Sequence, residues 1–420
     1  MQIDRATLAL FLTLGFLAAP ALHAQVPGSA ELRLNRTMTG LQTAPAVATA
    51  AGRGFVAAWQ SSSGAHSPAS DVRLRLFNAA GAARTGELQV TRAEAGSQRR
   101  PAVAMAADGH FAVVWEATTG TGQTLVFGRL FSAGGQPIGQ RFPLAASSQR
   151  QQYQPAVAMT ADGRFVAVWA QEDGGFIDGA TFDVYARRFA ADGTPQGEEF
   201  PAIAFFDDQS EPRVAVAADG GFVVVCQSFV AATQPNATAL DVFARVFAAD
   251  GTPAADAFPV NANPTAAGTS AFEPAVARTP DGRFAVAWTA TDDPAGIGFA
   301  DSYGVRLRLF TAGGAPLGPV IPVNVFVRGM QRSPAVAATG DGTLLVAWQS
   351  GANQDGDREG IFARVAGFDG HLRGREFRIN LGRAGSQILP AVVLTPDGGR
   401  GMAVWETPGG IDARLLVPAR

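Results

Sequence analysis

The sequence predicts an all-β fold, a seven-bladed β-propeller with four antiparallel strands in each blade. Three observations lead to this prediction: a proline and a large apolar residue recur at a fixed distance, turn sequences divide each copy, and the two chain ends complement each other. The repeat period is 54 to 62 residues, and each period offers four strand-length segments. This pattern is typical of propeller blades and not of helical repeats.

The recurring proline and the residue that follows it define the repeat. Six tryptophans and the only cysteine follow seven prolines by 14 residues, or by 15 in the last copy. The prolines are Pro45, Pro101, Pro155, Pro212, Pro274, Pro334 and Pro390, and their partners are Trp59, Trp115, Trp169, Cys226, Trp288, Trp348 and Trp405. We interpret the partner series as the core of the blades, and Cys226 as a buried, inert thiol.

Further positions recur around this pair. Six copies carry an Asp-Gly turn, or its equivalent, before the tryptophan position, at Asp108, Asp162, Asp219, Asp281, Asp341 and Asp397. The third segment of every copy contains an arginine: Arg75, Arg129, Arg187, Arg245, Arg308, Arg364 and Arg414. We expect these arginines to be structural and to pair with turn or loop carboxylates. Six glutamines three residues before the proline are expected to bond loop backbone: Gln42, Gln98, Gln152, Gln209, Gln331 and Gln387.

The ends of the chain predict how the ring closes. The last copy stops after its third segment, so its blade lacks a fourth strand. The N-terminal segment from Glu31 to Asn35 matches the segment from Glu376 to Asn380 in pattern. We therefore predict that the N-terminal segment completes the last blade, because this pairing removes two open sheet edges.

The first residues stand apart from the repeat. We predict a signal peptide over residues 1–24 and one propeller domain over residues 25–420. The apolar stretch from Ala9 to Ala19 is short for a membrane span, and no second candidate span follows it. The protein is thus expected to be exported to the periplasm or the extracellular space. With one cysteine it can form no intramolecular disulfide.

Composition excludes several classes of function. The chain has no lysine, since all 33 basic residues are arginine, so Schiff-base catalysis and a Gly-Lys-Ser/Thr phosphate loop are excluded. A net charge of -3 without a basic run argues against a nucleic-acid partner. The histidines lie in different copies and have no metal-ligand spacing. We expect a monomer with no cofactor, apart from the calcium ion considered below.

The loops that lead into the first strands predict a ligand site. Because successive strands alternate in direction, the short Asp-Gly turns lie on one face of the disc and the longer loops on the other. The residues proposed to line the mouth of the central funnel are Arg99, Arg100, Arg150, Tyr153, Phe205, Phe206, Arg328 and Arg332. An arginine-bordered, aromatic mouth would suit a protein, peptide, glycan or other anionic ligand. The alternative is that these are ordinary loop residues with no binding role.

One acidic loop is a candidate calcium site. Asn353, Asp355, Asp357 and Glu359 place oxygen ligands at alternate positions, with Gly356 to turn the chain. The loop lacks the full spacing of an EF-hand loop. Similar Asp- and Gly-rich loops also serve only as solvent-exposed hairpin connections, so both interpretations stay open.

Catalytic motifs are missing from the sequence. There is no Gly-x-Ser-x-Gly, His-Glu-x-x-His or Cys-His pairing, and no Ser-x-Asp-x-Gly-x-x-Trp box of the kind found in sialidase-like propellers. The sequence favours a binding or scaffold module that uses the long-loop face and the central funnel. The alternatives are a propeller enzyme of hydrolase or lyase type acting on glycans, or a purely structural or adhesive surface protein.

The repeated motifs also carry a resemblance. The pattern Pro-Ala-Val-Ala, Asp-Gly-x-Phe-x-Val-x-Trp and Ala-Arg-x-Phe-x-x-x-Gly is clearest from Pro155 to Gly193 and from Pro274 to Gly314. It resembles the repeats of exported bacterial seven-bladed β-propeller proteins, including those embedded in large secreted calcium-binding repeat proteins. The resemblance implies the fold, export and a binding or surface role, and it assigns no site residue. This chain has none of the glycine-aspartate nonapeptide repeats of the large relatives.

Overall fold

The computed structural model confirms the predicted fold: seven small antiparallel sheets form a ring. The structure describes residues 25–62, 64, 69–91, 96–172, 182–204, 208–231, 238–261, 270–291 and 303–418. None of these residues lies in a helix that is long and apolar enough to cross a membrane. The predicted signal peptide, residues 1–24, lies outside the described residues.

The blades are numbered 1 to 7 in the order of their first strands, and these strands contact each other around the axis. The first strands are Gln42–Ala50, Gln98–Met105, Gln152–Met159, Gln209–Val216, Ala271–Arg278, Gln331–Ala338 and Ile388–Leu394. The second strands are Gly54–Ser62, Phe111–Thr118, Phe165–Glu172, Phe222–Ala231, Phe284–Ala290, Thr343–Ser350 and Gly401–Thr407. The third strands are Ser70–Phe77, Thr124–Phe131, Phe182–Phe189, Thr238–Phe247, Gly304–Phe310, Gly360–Gly367 and Gly410–Pro418. The fourth strands of blades 1 to 6 are Leu88–Gln89, Pro137–Pro143, Phe200–Ile203, Phe258–Pro259, Ile321–Pro322 and Leu372–Arg378.

The N-terminal segment completes blade 7, as predicted. In the strand Leu32–Arg33, Leu32 pairs with Ala413 on the last strand of the chain. A further strand, Gln25–Pro27, pairs with the same C-terminal strand, with Val26 opposite Val417. The closing pairing is therefore longer than the sequence predicted, and it leaves the C-terminal strand with partners on both sides.

The apolar core lies between the blades. Each of seven clusters of buried side chains joins two neighbouring blades, and one of them joins blade 7 to blade 1. All six tryptophans and Cys226 are buried in these clusters. Burial, with a smaller effect of the Asp183 charge, raises the pKa of Cys226, so the thiol stays protonated and unreactive.

The glutamines before the prolines have two kinds of partner. In Gln42 and Gln331, Nε2 donates to a loop carbonyl, as the sequence suggested. Their Oε1 atoms accept the indole N–H of the blade's own tryptophan, at 3.0 Å from Trp59 and 3.2 Å from Trp348. The same bond joins Trp115 to Gln98 at 2.9 Å. These glutamines thus satisfy the one polar atom of a buried tryptophan.

The expectation that the third-strand arginines pair with carboxylates is wrong. Each donates from Nη1 to a backbone carbonyl in or directly after the fourth strand of the preceding blade, at 2.7 to 3.4 Å. The acceptors are the carbonyls of Leu34, Val90, Leu144, Ala202, Val260, Val323 and Ile379. Most fourth strands are only two residues long, so carbonyls beyond their ends lack a ladder partner. A guanidinium with five donors can reach them from the next blade.

Backbone hydrogen bonds also link neighbouring turns on the short-turn face. Ala107 N donates to Ala161 O at 3.0 Å, and this bond joins blades 2 and 3. Equivalent bonds join blades 4 and 5 and blades 6 and 7. In blade 1 a side chain acts instead, since Arg53 Nε donates to Ala107 O at 2.9 Å. Backbone bonds between turns therefore join the blades of this face in three couples, and a side chain links blade 1 to blade 2.

Candidate functional site

The residue before each recurring proline has an unusual backbone conformation. All seven have a positive φ, between 48° and 55°, although none is glycine. They are Ala44, Arg100, Gln154, Glu211, Glu273, Ser333 and Leu389. Each lies at an irregularity in the pairing of the first and second strands. A non-glycine residue in this region costs about 1–2 kcal/mol, so the surrounding structure must stabilise it.

The stabilising contact comes from the neighbouring blade. The backbone N–H of Gln154 donates to Glu116 Oε1 at 2.7 Å, and that of Glu273 donates to Gln227 Oε1 at 2.9 Å. Both acceptors directly follow the tryptophan position of the preceding blade. Blade 3 has Ala170 at this position, and Glu211 N donates instead to Gln154 Oε1 at 2.9 Å. Side chains of one blade thus fix the backbone of the next at the mouth of the funnel.

The seven positive-φ residues border an axial cavity of about 510 Å³. Its wall also contains the Pro-Ala-Val segments of the first strands. The backbone of the ring repeats, but the bordering side chains differ. They are polar or charged from Arg100 in blade 2 to Ser333 in blade 6, and apolar at Leu389 and Ala44 in blades 7 and 1.

A second cavity of about 430 Å³ adjoins the axial one between blades 2 and 4. Its lining consists of Arg99, Arg100, Glu116, Tyr153, Gln154, Ala170, Phe182, Asp208, Ser210 and Phe229. We call it the arginine pocket. It shares Arg100 and Gln154 with the axial cavity, and it brings together three residues that the sequence predicted, Arg99, Arg100 and Tyr153.

A buried carboxylate positions the two arginines. Glu116 is 2% exposed, and its oxygens lie 3.7 Å from Arg99 Nε and 3.8 Å from Arg100 Nε. These separations exceed hydrogen-bond length. Both arginine side chains remain open to solvent, at 40% and 51% exposure. The pocket therefore offers guanidinium N–H groups that the protein orients but does not fully use.

Glu211 lies on the axial side of Arg100, 3.5 Å from its Nη1. It also pairs with Arg213 at 3.0 Å and accepts the Gln154 side-chain amide at 2.9 Å. Burial by itself would raise the pKa of Glu211, but the charges of Arg213 and Arg100 outweigh it and hold the pKa below its usual range. Glu211 is thus an ionised carboxylate that fixes Gln154 and Arg100.

Aromatic rings form the other wall of the arginine pocket. Tyr153 and Phe182 meet edge to face, with ring centroids 5.6 Å apart. Asp208 anchors both sides of this wall: its Oδ1 accepts Phe182 N–H at 2.9 Å, and its carbonyl accepts Phe229 N–H at 3.0 Å. Phe229 is 42% exposed. An apolar surface therefore lies beside the arginines.

The remaining predicted ligand residues lie elsewhere. Arg332 forms an ion pair with Glu273, which also accepts bonds from Thr289 and the Ser333 backbone. Arg150 is exposed outside the pocket and donates to Glu172 O at 3.4 Å. Arg328 is exposed on the loop before blade 6. Phe205 and Phe206 lie outside the described residues.

The predicted calcium loop uses its carboxylates in contacts within the protein. Asp355 is buried and accepts the side-chain amide of Asn380 at 3.0 Å, while Asp357 accepts the N–H of Gly385 at 2.8 Å. The backbone carbonyl of Asn353 accepts the Gly356 N–H at 3.0 Å within the turn. The backbone carbonyl of Glu359 accepts the Gln387 N–H. No three acidic, histidine or cysteine side chains converge as a metal site within the described ranges.

Several pocket residues were not recognised from the sequence, namely Glu116, Gln154, Phe182, Asp208 and Phe229. Glu116 and Gln154 gave no distinguishing signal, because the position after the tryptophan is polar in six of the seven copies and the position before the proline in five. Phe182, Asp208 and Phe229 come from three different segments, and only the fold brings them together.

Comparisons with known proteins show the fold. No family model and no curated protein matches the sequence. An ulvan lyase of a new polysaccharide lyase family, bound to -[GlcA(1-4)Rha3S]-, has a TM-score of 0.54 at 12% identity and covers 94% of this chain and 96% of its own. A protein of unknown function from Dyadobacter fermentans gives 0.53 at 13% identity over 94% and 99%. An α-L-arabinanase from Penicillium chrysogenum, complexed with arabinobiose, gives 0.51 at 14% over 76% and 92%. This chain has the propeller fold that such proteins share.

Proposed function

We propose that the protein binds an acidic saccharide in the arginine pocket. One observation supports this most directly: Arg99 and Arg100 are oriented side by side by the buried Glu116, yet both remain exposed. The lining holds two arginines, Arg99 and Arg100, and two carboxylates, Glu116 and Asp208. Glu116 is buried, and Asp208 is half-buried and accepts the Phe182 N–H, so the exposed charge that meets a ligand is that of the guanidinium groups. The pocket therefore favours an anion.

The chemistry of the walls specifies the ligand class further. A guanidinium binds a carboxylate or sulfate through two parallel N–H donors, and these charge-assisted bonds are strong. Tyr153, Phe182 and Phe229 provide rigid apolar surface on which the C–H face of a sugar ring can pack. A volume of about 430 Å³ falls within the range of small-molecule sites.

The structural neighbours are consistent with a saccharide ligand. Two of them, the ulvan lyase and the arabinanase, act on glycans and were solved with saccharides bound. At 12% and 14% identity they share the fold and transfer no residue to this chain. The proposal thus depends on the pocket, and the neighbours make a glycan a more natural ligand than a peptide.

Cleavage of a glycan at the same pocket is the second candidate. It is favoured by the two carboxylates, Glu116 and Glu211, which both contact Gln154 and both lie within 4 Å of Arg100, because glycoside hydrolysis uses a carboxyl pair. A general acid in such a pair needs a raised pKa, whereas that of Glu211 is lowered. The other carboxylate, Glu116, is 2% exposed and accepts the Gln154 N–H, so binding without cleavage fits the described groups better.

Calorimetric titration tests the binding proposal. A carboxylated oligosaccharide such as oligogalacturonate, a sulfated oligosaccharide and a neutral one of equal length would be compared. We expect the acidic ligands alone to bind, and Arg99→Ala with Arg100→Ala to weaken binding at least about tenfold, or 1.4 kcal/mol. Arg150→Ala is the matched control, because it removes an exposed arginine of the same face outside the pocket. Equal binding of the neutral ligand, or an unaffected double variant, would contradict the proposal.

A product assay separates the two candidates. The same oligosaccharides would be incubated with the protein, and new reducing ends or unsaturated products would be measured. Product formation that is lost in Glu116→Gln while binding persists would establish the second candidate. Binding with no product in any variant supports a binding module.

A further inference from the structure

A second surface lies on the same face, across the ring from the arginine pocket. The loops that precede blades 6, 7 and 1 are neighbours around the ring, and together with the start of the first strand of blade 7 they expose six apolar side chains. These are Met38 at 64%, Val325 at 63%, Leu41 at 52%, Leu381 at 46%, Met330 at 43% and Leu389 at 42% exposure. We call this set the apolar arc. Large apolar side chains exposed together on one sector of a surface are typical of interaction sites.

The three loops have the same rigid construction. Each begins with a buried asparagine, Asn35, Asn324 or Asn380, whose Oδ1 accepts a third-strand N–H at 2.8 Å. The Nδ2 of the same side chain donates to the carbonyl two residues later, at 2.6 to 2.9 Å. The loop backbone is therefore tied to the blade on both sides of the asparagine.

A glutamate of the following blade fixes each loop tip. Glu376 accepts the N–H of Val325 at 2.7 Å, Glu31 accepts that of Leu381, and Glu87 accepts that of Thr37 at 2.9 Å. Backbone bonds thus hold the apolar side chains in the outward direction. The fixed loop backbone therefore sets the exposure of these side chains. The loops lose little conformational entropy when a partner binds.

The exposed charge around the apolar arc is positive. Among the described residues of these three loops and of the loop 351–359 in blade 6, the exposed charged side chains are Arg36, Arg328, Arg358 and Arg383. The carboxylates of this region are buried or half-buried, and Asp355, Asp357 and Glu376 accept bonds from the protein. A partner for this surface must therefore be both apolar and anionic.

We infer that the apolar arc binds an anionic lipid surface. Apolar tips flanked by arginine suit the boundary between acyl chains and anionic headgroups. A second copy of the chain is disfavoured, because face-to-face contact would bring the same arginines together. An acidic peptide would need a groove, and the arginine pocket and the axial cavity lie elsewhere, with only Leu389 touching the latter.

Vesicle co-sedimentation tests this inference. The chain from Gln25 onward, which contains every described strand, would be mixed with vesicles of phosphatidylglycerol and phosphatidylcholine, or of phosphatidylcholine alone. We expect binding to the anionic vesicles only, weakened by salt. Arg36→Ala with Arg383→Ala should weaken it roughly 25-fold, because each arginine near an anionic surface contributes about 1 kcal/mol, or fivefold. Met38→Ser with Val325→Ser and Leu381→Ser should reduce it at least about tenfold.

Matched controls come from elsewhere on the disc. Ile138 and Leu317 are exposed to a similar degree, at 47% and 45%, so Ile138→Ser with Leu317→Ser should bind as the wild type does. Arg84→Ala controls for lost charge, and thermal unfolding checks that each variant folds.

The inference is overturned if the wild type does not sediment with anionic vesicles, or if the controls lose as much binding. Self-association through the arc without vesicle binding would assign the surface to a second copy and also overturn it. Saccharide titration of the same variants tests the arginine pocket separately. Normal saccharide binding in a variant that has lost vesicle binding concerns the apolar arc alone.

Discussion

Blades 2 to 4 and blades 7 and 1 share one backbone geometry at the funnel mouth and present opposite side-chain chemistry there. Arg100, Gln154 and Glu211 have the same positive φ as Leu389 and Ala44, yet the first group builds a charged pocket and the second an apolar border. The short-turn face shows no such chemical division, since each turn repeats the same internal backbone bond. The comparison teaches that the repeat fixes the positions of the backbone, while single side chains at these positions decide what each sector can bind.

The largest expected effect on stability comes from a substitution in the core that both sectors share. Trp115→Ala removes a fully buried indole and its bond to Gln98, and we expect it to lower the free energy of unfolding by about 3–5 kcal/mol. Tyr153→Ala, in the arginine pocket, should change it by less than about 1 kcal/mol. Urea unfolding measures both. Similar losses in the two variants would mean that the pocket wall is as structural as the core.

A smaller test concerns the positive-φ ring itself. Ala44→Gly removes no polar contact and relieves an unfavourable conformation, so it should raise the free energy of unfolding by about 0.5–1 kcal/mol. Ala46→Gly, two residues along the same strand, lies at an ordinary φ and should lower it by a similar amount. Urea midpoints of the two variants give opposite signs if the ring is strained. Two changes of the same sign would show that the ring carries no strain.

The smallest expected effect depends on pH. Burial raises the pKa of Glu406, against a weaker opposing bond from the Ala44 backbone, and its Oε2 is buried without a partner. The folded chain therefore favours the protonated carboxyl. Its contribution to stability is complete below the ordinary glutamate pKa and is lost as pH rises through the raised value.

Glu406→Gln should remove this loss and keep an oxygen for the Ala44 N–H. We expect the variant to melt at a higher temperature than the wild type at neutral pH, with the difference shrinking toward about pH 4. Melting curves across this range measure it. A difference that does not change with pH would show that folding leaves the pKa of Glu406 unchanged.

The fold could be predicted because its signals repeat. The proline-to-tryptophan spacing gave the blade count, and the match between the segments at Glu31 and Glu376 gave the closure. The structure adds a reason for that match, since both glutamates bond the loop of the preceding blade. The arginine partners were missed because a backbone carbonyl leaves no trace in sequence, whereas a carboxylate does.

The site could be predicted only in part. Arg99, Arg100 and Tyr153 were visible as departures in loops that had to lie near the axis. The positive-φ ring was not visible, because none of its residues is a glycine and its backbone bonds come from the neighbouring blade. The aromatic wall depends on Phe182 meeting Tyr153 across the second strand of blade 3, which no local pattern encodes.

The bonds between neighbouring turns on the short-turn face couple blades 2 with 3, 4 with 5 and 6 with 7. An odd number of members cannot be divided into couples, so one member always stays single. Here it is blade 1, whose Arg53 substitutes a side chain for the missing backbone link. Blade 1 also adjoins the closure made by the two chain termini. The parity of the ring therefore breaks its symmetry at blade 1, next to the closure.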